Sequence, residues 1–260
     1  MTRTIDINSD VGESSSNVAA GFSLSPEERL IRQITSVNIA CGGHAGDDES
    51  MTRVMKLCAR YGVGIGAHPS YPDRESFGRK DMDMTSDQIA ESVYRQVNRP
   101  VELAAGLGLE VRHVKPHGAL YNTAAKDERT ALAIARGVAR LGRKLALVGL
   151  ANSPMLGTWR KEGFSVIAEA FADRRYESDG SLRSRRFDNA LITNPALAAE
   201  QALQIARDGK VITVAGTEVL LDAQTICIHG DTPDSAAIAE RVRQALTENG
   251  FIIAPFIFEG

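Results

Sequence analysis

Three cysteines in 260 residues exclude two ways of holding a small protein together. Cys41, Cys58 and Cys227 are odd in number and form no Cys-x-x-Cys pair. Neither a disulfide framework nor a structural zinc site follows. Cys41 and Cys227 fall inside apolar runs, where a free thiol is a small core residue. Lysine and arginine form no block interleaved with aromatics, and 30 basic residues stand against 33 acidic ones. No nucleic acid is expected as a partner. No apolar stretch approaches the ~20 residues of a membrane span, and the chain enters a strand-like run by Thr4 without a hydrophobic leader. The expectation is a soluble, cytoplasmic protein with no membrane partner.

Two nucleotide signatures are also missing. There is no Gly-x-Gly-x-x-Gly between a first strand and helix, so a dinucleotide fold is not indicated. There is no Gly-x-x-x-x-Gly-Lys-Ser/Thr loop either, so any ATP site is unconventional or supplied by a partner. Short repeats and low-complexity linkers are absent, and 260 residues suit one α/β domain, expected over 1–260.

What is present is alternation. Strand-like runs at Thr4–Asn8, Ser36–Ala40, Val63–Ala67, Val111–Lys115, Leu145–Gly149, Ser165–Ala168 and Thr225–His229 are separated by amphipathic segments. Ser25-Pro26-Glu27-Glu28 reads as a capped first turn, and Asp47 or Asp48 caps a helix to Tyr61. Thr85 caps a helix to about Leu107, which Pro100 should kink or interrupt. Further helices are expected over Asp127–Leu141, Ser153–Glu162, Pro195–Asp208 and Pro233–Gly250. Val211–Val214 and Glu218–Leu221 straddle Gly216 too closely for a crossover helix and read as a hairpin. Phe251–Phe258 should pack at the edge of the sheet or beneath it. The count gives seven or eight βα units, and short strands with polar ends fit a barrel better than an open sheet. Gly62-x-Gly64-x-Gly66 is a strand whose glycines let a neighbouring group approach the backbone.

Four of the five histidines sit at the ends of apolar runs: His44, His68, His117 and His229. Around the same C-terminal face the sequence supplies Asp10, Glu13, Asp47, Lys115, Glu169, Asp173, Arg174 and Asp231. Parallel α/β folds build sites there from distant sequence. Such carboxylates and imidazoles suit a divalent metal or proton transfer on an amide. Lys115, in an apolar strand, faces either an anion in the site or a structural carboxylate. Arg174, Arg175, Arg183, Arg185 and Arg186 form the only local basic cluster, diluted by Asp173, Glu177 and Asp179. A small anionic substrate or a solvated loop accounts for it.

Long motifs then carry a resemblance. Asp6-Ile7-Asn8-Ser9-Asp10-Val11-Gly12-Glu13, Ser36 to Asp47 (SVNIACGGHAGD), Gly64 to Asp73 (GIGAHPSYPD) and Phe77-Gly78-Arg79 look like hallmarks of the LamB/YcsF family. So do Val114 to Asn122 (VKPHGALYN), Glu169 to Arg174 (EAFADR) and Cys227-Ile228-His229-Gly230-Asp231. The resemblance implies an irregular TIM-like (β/α)7 barrel of the glycoside hydrolase/deacetylase type. It implies the A component of an ATP-dependent 5-oxoprolinase, which works with B and C subunits to open 5-oxo-L-proline to L-glutamate, with ATP as co-substrate. On that reading Asp10, Glu13, Lys115 and His117 are catalytic, with Asp10 or Glu13 as base or metal ligand and His117 protonating the departing nitrogen. Asn8, His44, His68, Arg79, Arg174, His229 and Asp231 contact substrate or phosphate. Related polysaccharide deacetylases hold a metal with an Asp and two His, so Asp10, His44, His68, His117 and Glu169 are candidate ligands for a divalent metal. Two other readings are a stand-alone metal-dependent amidase or deacetylase and a non-catalytic, substrate-presenting subunit. Lys115→Met is expected to abolish glutamate formation while leaving thermal unfolding largely unchanged.

Overall fold

A computed structural model of the chain describes residues 3–13 and 24–256. Its elements, in order, are β1 (Thr4–Val11), α1 (Pro26–Ile31), β2 (Ser36–Ala40), α2 (Asp48–Tyr61), β3 (Gly64–His68), α3 (Ser86–Gly106), β4 (Val111–Val114) and α4 (Gly118–Ala124). Then come α5 (Glu128–Ala139), β5 (Ala146–Leu150), α6 (Pro154–Lys161), β6 (Val166–Phe171), α7 (Pro195–Asp208), β7 (Lys210–Ile212), β8 (Glu218–Leu220), β9 (Thr225–Cys227), α8 (Ser235–Glu248) and β10 (Ile252–Ile253).

Seven parallel strands close a barrel. The order is β1-β2-β3-β4-β5-β6-β9, and β9 pairs back onto β1 through Asp6↔Thr225 and Asn8↔Cys227. The remaining strands are accessories: β7 and β8 form the expected antiparallel hairpin, and β10 adds to the start of β1. Phe256 packs on Ala146, Val148 and Ile167, so the segment as far as Phe256 lies under the barrel; Ile257 and Phe258 lie outside the described residues.

The helices form where their caps were legible. Ser25 accepts from the Glu28 amide, Asp47 and Ser50 form a reciprocal capping box on α2, and Thr85 does the same with Gln88 on α3. Asp47 is therefore spent on a helix end and stands outside the site. Helix α3 continues across Pro100 without interruption. Its stripe of Val93, Val97, Val101 and Ala104 is buried, and that packing carries the helix past the missing N–H. Helix α4, which begins directly after His117, was not anticipated.

Period-two alternation sorts each strand onto two surfaces. Ile5, Ile7, Val37, Ile39, Ile65 and Ala67 join the apolar shell under the helices. Asp6, Asn8, Asp10, Ser36, Asn38 and His113 alternate with them and are equally buried, in a polar interior. Thr35 and Ser36 hydroxyls donate to Asp6 Oδ1 at 2.7 Å, and Thr225 donates to Oδ2. Gly66 makes this interior feasible: a Cβ there would lie 2.1 Å from His113 Nε2. The close approach expected of that glycine strand is the His113 ring.

Candidate active site

The C-terminal ends of β1, β2, β3, β4, β6 and β9 converge on one mouth. There a cavity of about 730 Å³ is lined by Asp10, His68, Lys115, His117, Tyr121, Phe171, Arg174 and His229, with Arg79 and Arg185 at its rim.

Lys115 sits at the floor, 2 % exposed. Its Nζ lies 2.8 Å from Glu169 Oε1 and 3.0 Å from Asp10 Oδ1, and donates to Cys227 Sγ at 3.0 Å and Asn8 Oδ1 at 3.4 Å. Both sequence alternatives for Lys115 meet here, since its carboxylate partners are themselves in the site. Burial pushes the ammonium toward neutrality, but Asp10, then Cys227 and Glu169, hold it well above its ordinary value. Burial would likewise raise Asp10, yet His68 and Lys115 beside it keep its carboxyl well below the usual range. Glu169 is fully engaged: Oε1 also accepts from Asn8 at 3.0 Å, and Oε2 from the Tyr121 hydroxyl at 2.9 Å.

Three histidines stand beside this ion pair. His44 and His117 stack with centroids 3.8 Å apart, and His68 meets both edge-on. Phe77 closes the stack, and Gly78, at φ 63°, lets its loop lie against them; a Cβ there would fall 2.9 Å from the Cβ of His44. The hydrogen bonds assign the tautomers. His68 Nδ1 donates to the Lys115 carbonyl at 2.7 Å, and His117 Nε2 to the Phe77 carbonyl at 3.0 Å. The two remaining nitrogens, His68 Nε2 and His117 Nδ1, face each other at 3.0 Å. Two lone pairs that close repel unless a proton or a cation lies between them. His44 Nε2 is 3.2 Å from Glu13 Oε1, and His44 Nδ1 is buried without a partner. Burial drives His44 down to about 4, and burial with His44 and His68 nearby drives His117 well below its ordinary value. Burial and Asp10 push Glu13 up to about 7. Glu13, His44, His68 and His117 present donor atoms all within 4.8 Å of one another, a set that fits a divalent cation. Asp10 touches this cluster through Oδ2, 3.3 Å from His68 Nε2, while Glu169 lies outside it. Asp10, Cys227 and His229 form a second close group, but Lys115 already takes Asp10 and Cys227 as acceptors.

On the opposite wall His229 stacks on Phe171, centroids 5.2 Å apart, and its Nδ1 lies 3.0 Å from Asp173 Oδ1. Asp173 also accepts from the His229 amide and, at 2.6 Å, from Thr232. Burial would raise its carboxyl, but His229 and these donors hold it below the usual range. The Nδ1–H of His229 is thereby committed, and Nε2 is its remaining ring nitrogen. At the rim, Asp231 binds Arg79 and, at 2.9 Å, Arg185; against the effect of burial, Arg185 and His229 hold it at about 2.

Sequence reasoning passed over Asn38, His113 and Tyr121. Asn38 Nδ2 donates to Asp10 Oδ1 at 2.9 Å and Asn8 Oδ1 at 2.8 Å, and its own oxygen meets His113 Nε2 at 2.9 Å. The available signal was the inward parity of Ser36 and Asn38 beside Asp6, Asn8 and Asp10.

A closed parallel seven-stranded barrel whose strand ends gather carboxylates, imidazoles and a buried lysine defines the class: a TIM-like α/β barrel of the glycoside hydrolase/deacetylase type, with its site at the C-terminal mouth. Residues 5–258 match the LamB/YcsF family, and the chain belongs to it. It is 48% identical over 250 residues to the A component of 5-oxoprolinase from Chloroflexus aggregans, covering 96% of this chain and 98% of that one. The crystal structure of a lactam utilization protein from Thermus thermophilus superposes with a TM-score of 0.87 at 36% identity, covering 97% of this chain and all of that one. The catalytic domain of a peptidoglycan N-acetylglucosamine deacetylase from Eubacterium rectale shares the fold alone, with a TM-score of 0.52 at 9% identity, covering 99% of this chain and 90% of that one.

Proposed function

We propose that this chain is the A component of a cytoplasmic, ATP-dependent 5-oxoprolinase, opening 5-oxo-L-proline to L-glutamate together with B and C subunits. The observation that carries the reading is the buried Asp10–Lys115–Glu169 group opening into a polar cavity, in a chain related over nearly its whole length to the A components of 5-oxoprolinases.

The chemistry asks for few parts. A five-membered lactam is resonance-stabilised and its nitrogen leaves poorly. Transfer of the γ-phosphoryl group of ATP to the lactam oxygen would activate the ring carbon. Water then adds to that carbon, the C–N bond breaks with its electron pair on nitrogen, and nitrogen takes a proton, leaving γ-glutamyl phosphate. A second water breaks that acyl phosphate, phosphate departs with the bonding pair, and the products are glutamate, ADP and phosphate. Lys115, a cation fixed by two carboxylates, stabilises negative charge growing on the oxygen without reorganising. Asp10, held ionised, is the base that takes a proton from water. His117 was the sequence choice for protonating nitrogen, but its Nε2 is committed to Phe77 and its Nδ1 is held as an acceptor. Proton delivery passes to His229, whose Nδ1 is anchored by Asp173 in the manner of a His–Asp pair. Arg79 and Asp231, tied to each other at the rim, set the width of the entrance.

The facing nitrogens of His68 and His117, with His44 and Glu13, would hold a divalent metal. Bound there, such an ion polarises a carbonyl oxygen or acidifies a water. This cluster favours one second reading, a stand-alone metal-dependent amidase. The two separate in one assay: purified chain with 5-oxoproline, with and without ATP and the B and C subunits, following glutamate. Negligible turnover until ATP and both partners are present supports the first reading. Full-rate opening by the chain alone overturns it and supports the second.

A further inference from the structure

Resting on the 5-oxoprolinase reading, we infer that Arg174 is the specificity-determining residue that binds the carboxylate of the lactam substrate. The site thereby selects cyclic amides bearing a carboxylate beside the ring nitrogen. Arg174 is 6 % exposed and lines the cavity beside Phe171 and His229. Among the described residues it has no carboxylate partner: Nη2 donates to the Arg183 carbonyl at 2.5 Å, and Nε is buried with no acceptor. The nearby acids are committed elsewhere, Asp173 to His229 and Thr232, Asp231 to Arg79 and Arg185. A buried, unpaired guanidinium is costly unless an anion completes it, and its planar fork matches a carboxylate. Burial, with Arg185 nearby, lowers Arg174 to about 10, the direction expected of a cation awaiting a counter-charge.

The backbone behind it is fixed. Gln201 Nε2 from α7 donates to the carbonyls of Phe171, Ala172 and Arg174, at 2.8, 3.2 and 2.8 Å. This clamp fixes the backbone from which the side chain projects before substrate arrives, so less ordering cost falls on binding. Depth separates the anion sources. Arg174 is buried on the His229 wall, whereas Arg186 and Lys126 are exposed around the same cavity, where a polyphosphate would reach them first. Arg174 therefore takes the small anion.

The test compares 5-oxo-L-proline with its uncharged carboxamide in the assembled three-component enzyme, for wild type, Arg174→Gln and Arg174→Lys. Wild type should favour the acid in kcat/KM by about 10- to 100-fold, the worth of a hydrogen-bonded charge pair. Arg174→Gln should erase that preference and raise the KM for 5-oxoproline while leaving the KM for ATP unchanged. Arg174→Lys should recover part of the preference, and it carries the test alone if the glutamine variant does not fold. A preference retained in both variants, or a rise in the KM for ATP instead, overturns the inference while leaving the functional reading intact. Wild-type enzyme that releases no glutamate overturns both.

Discussion

Replacing Lys115 by methionine removes the cation that bridges Asp10 and Glu169, both at most 3 % exposed. Turnover in the assembled enzyme should vanish, as the sequence suggested. The expectation that stability would be spared fails on the geometry. Stripping one partner from a buried pair costs about 3–5 kcal/mol, because the other charge is left desolvated and alone. Here the lower end applies, since Glu169 keeps Asn8 and Tyr121 as donors and Asp10 keeps Asn38. At roughly 2–4 °C per kcal/mol for a chain of this size, Tm should fall by about 6–12 °C at pH 8. The sign of the pH dependence is the sharper readout. In wild type Asp10 is depressed, so its contribution is present above the unfolded carboxyl range and lost only as acid titrates the folded state. Lys115 is raised, so its contribution persists below its ordinary value and is lost only at still higher pH. Between pH 5 and 8 this pair contributes no slope. In the variant a buried carboxyl should bind its proton more tightly folded than unfolded, so stability should climb as pH falls, by up to about 1.4 kcal/mol per unit. Thermal unfolding at several pH values checks both statements. An unchanged Tm at pH 8, with no added slope, would refute the placement of Lys115 between the two acids.

Asp6 gives a second pH signature: burial, opposed by its three hydroxyl donors, raises it to about 6. The contribution of Asp6 to stability should therefore decline as pH rises from about 4 through 6, and Asp6→Asn should raise Tm at pH 8 relative to wild type, with the gain shrinking toward pH 4; a gain independent of pH sinks the account. Gly66→Ala drives a methyl into the His113 ring and should cost at least about 1–3 kcal/mol, much of it recovered in a double variant with His113→Ala. Strictly additive losses in urea unfolding would show that the two do not touch. Zn²⁺ at a hundredfold excess over Kd should stabilise wild type by about 2.7 kcal/mol, seen as a raised Tm, and should leave the Tm of His68→Ala unmoved. Equal shifts in both would place the ion elsewhere.

The barrel was legible because its strands and helix caps are written locally. Apolar residues at Ile5, Ile7, Val37 and Ile39 recur with period two, and Ser25, Asp47 and Thr85 announce helix starts. The site's membership was legible from position, since residues following strand ends share one face whatever their separation in sequence. The partnerships were not. Whether Lys115 meets an acid depends on how far β1, β4 and β6 stagger in register, and no local pattern encodes that. Helix α4 escaped because it is seven residues long and has no side-chain cap at His117, while burial of Ala119, Leu120 and Tyr121 supplies the reason it forms. His113 was passed over because it stands in the middle of a strand, where histidine carries no positional signal.

That mid-strand histidine bears on how the site keeps its shape. Asp10 needs one fixed orientation: Oδ1 accepts from Lys115 and Asn38, while Oδ2 faces His68. Asn38 can donate upward only because its oxygen is occupied from the side by His113, which burial, with Lys115 close by, lowers to about 3. A neutral His113 presents Nε2–H to that oxygen, so the amide cannot flip without setting like groups against each other. His113 in turn fits only because Gly66 has no side chain. The chain of dependence runs from Gly66 through His113 and Asn38 to Asp10. His113→Phe fills the space but removes the donor, and should lower kcat in the assembled enzyme with little change in the KM for 5-oxoproline, because Asp10 is misaimed while the cavity wall is intact. Normal kcat in a variant of unchanged Tm would show that Lys115 and His68 orient Asp10 without help from below.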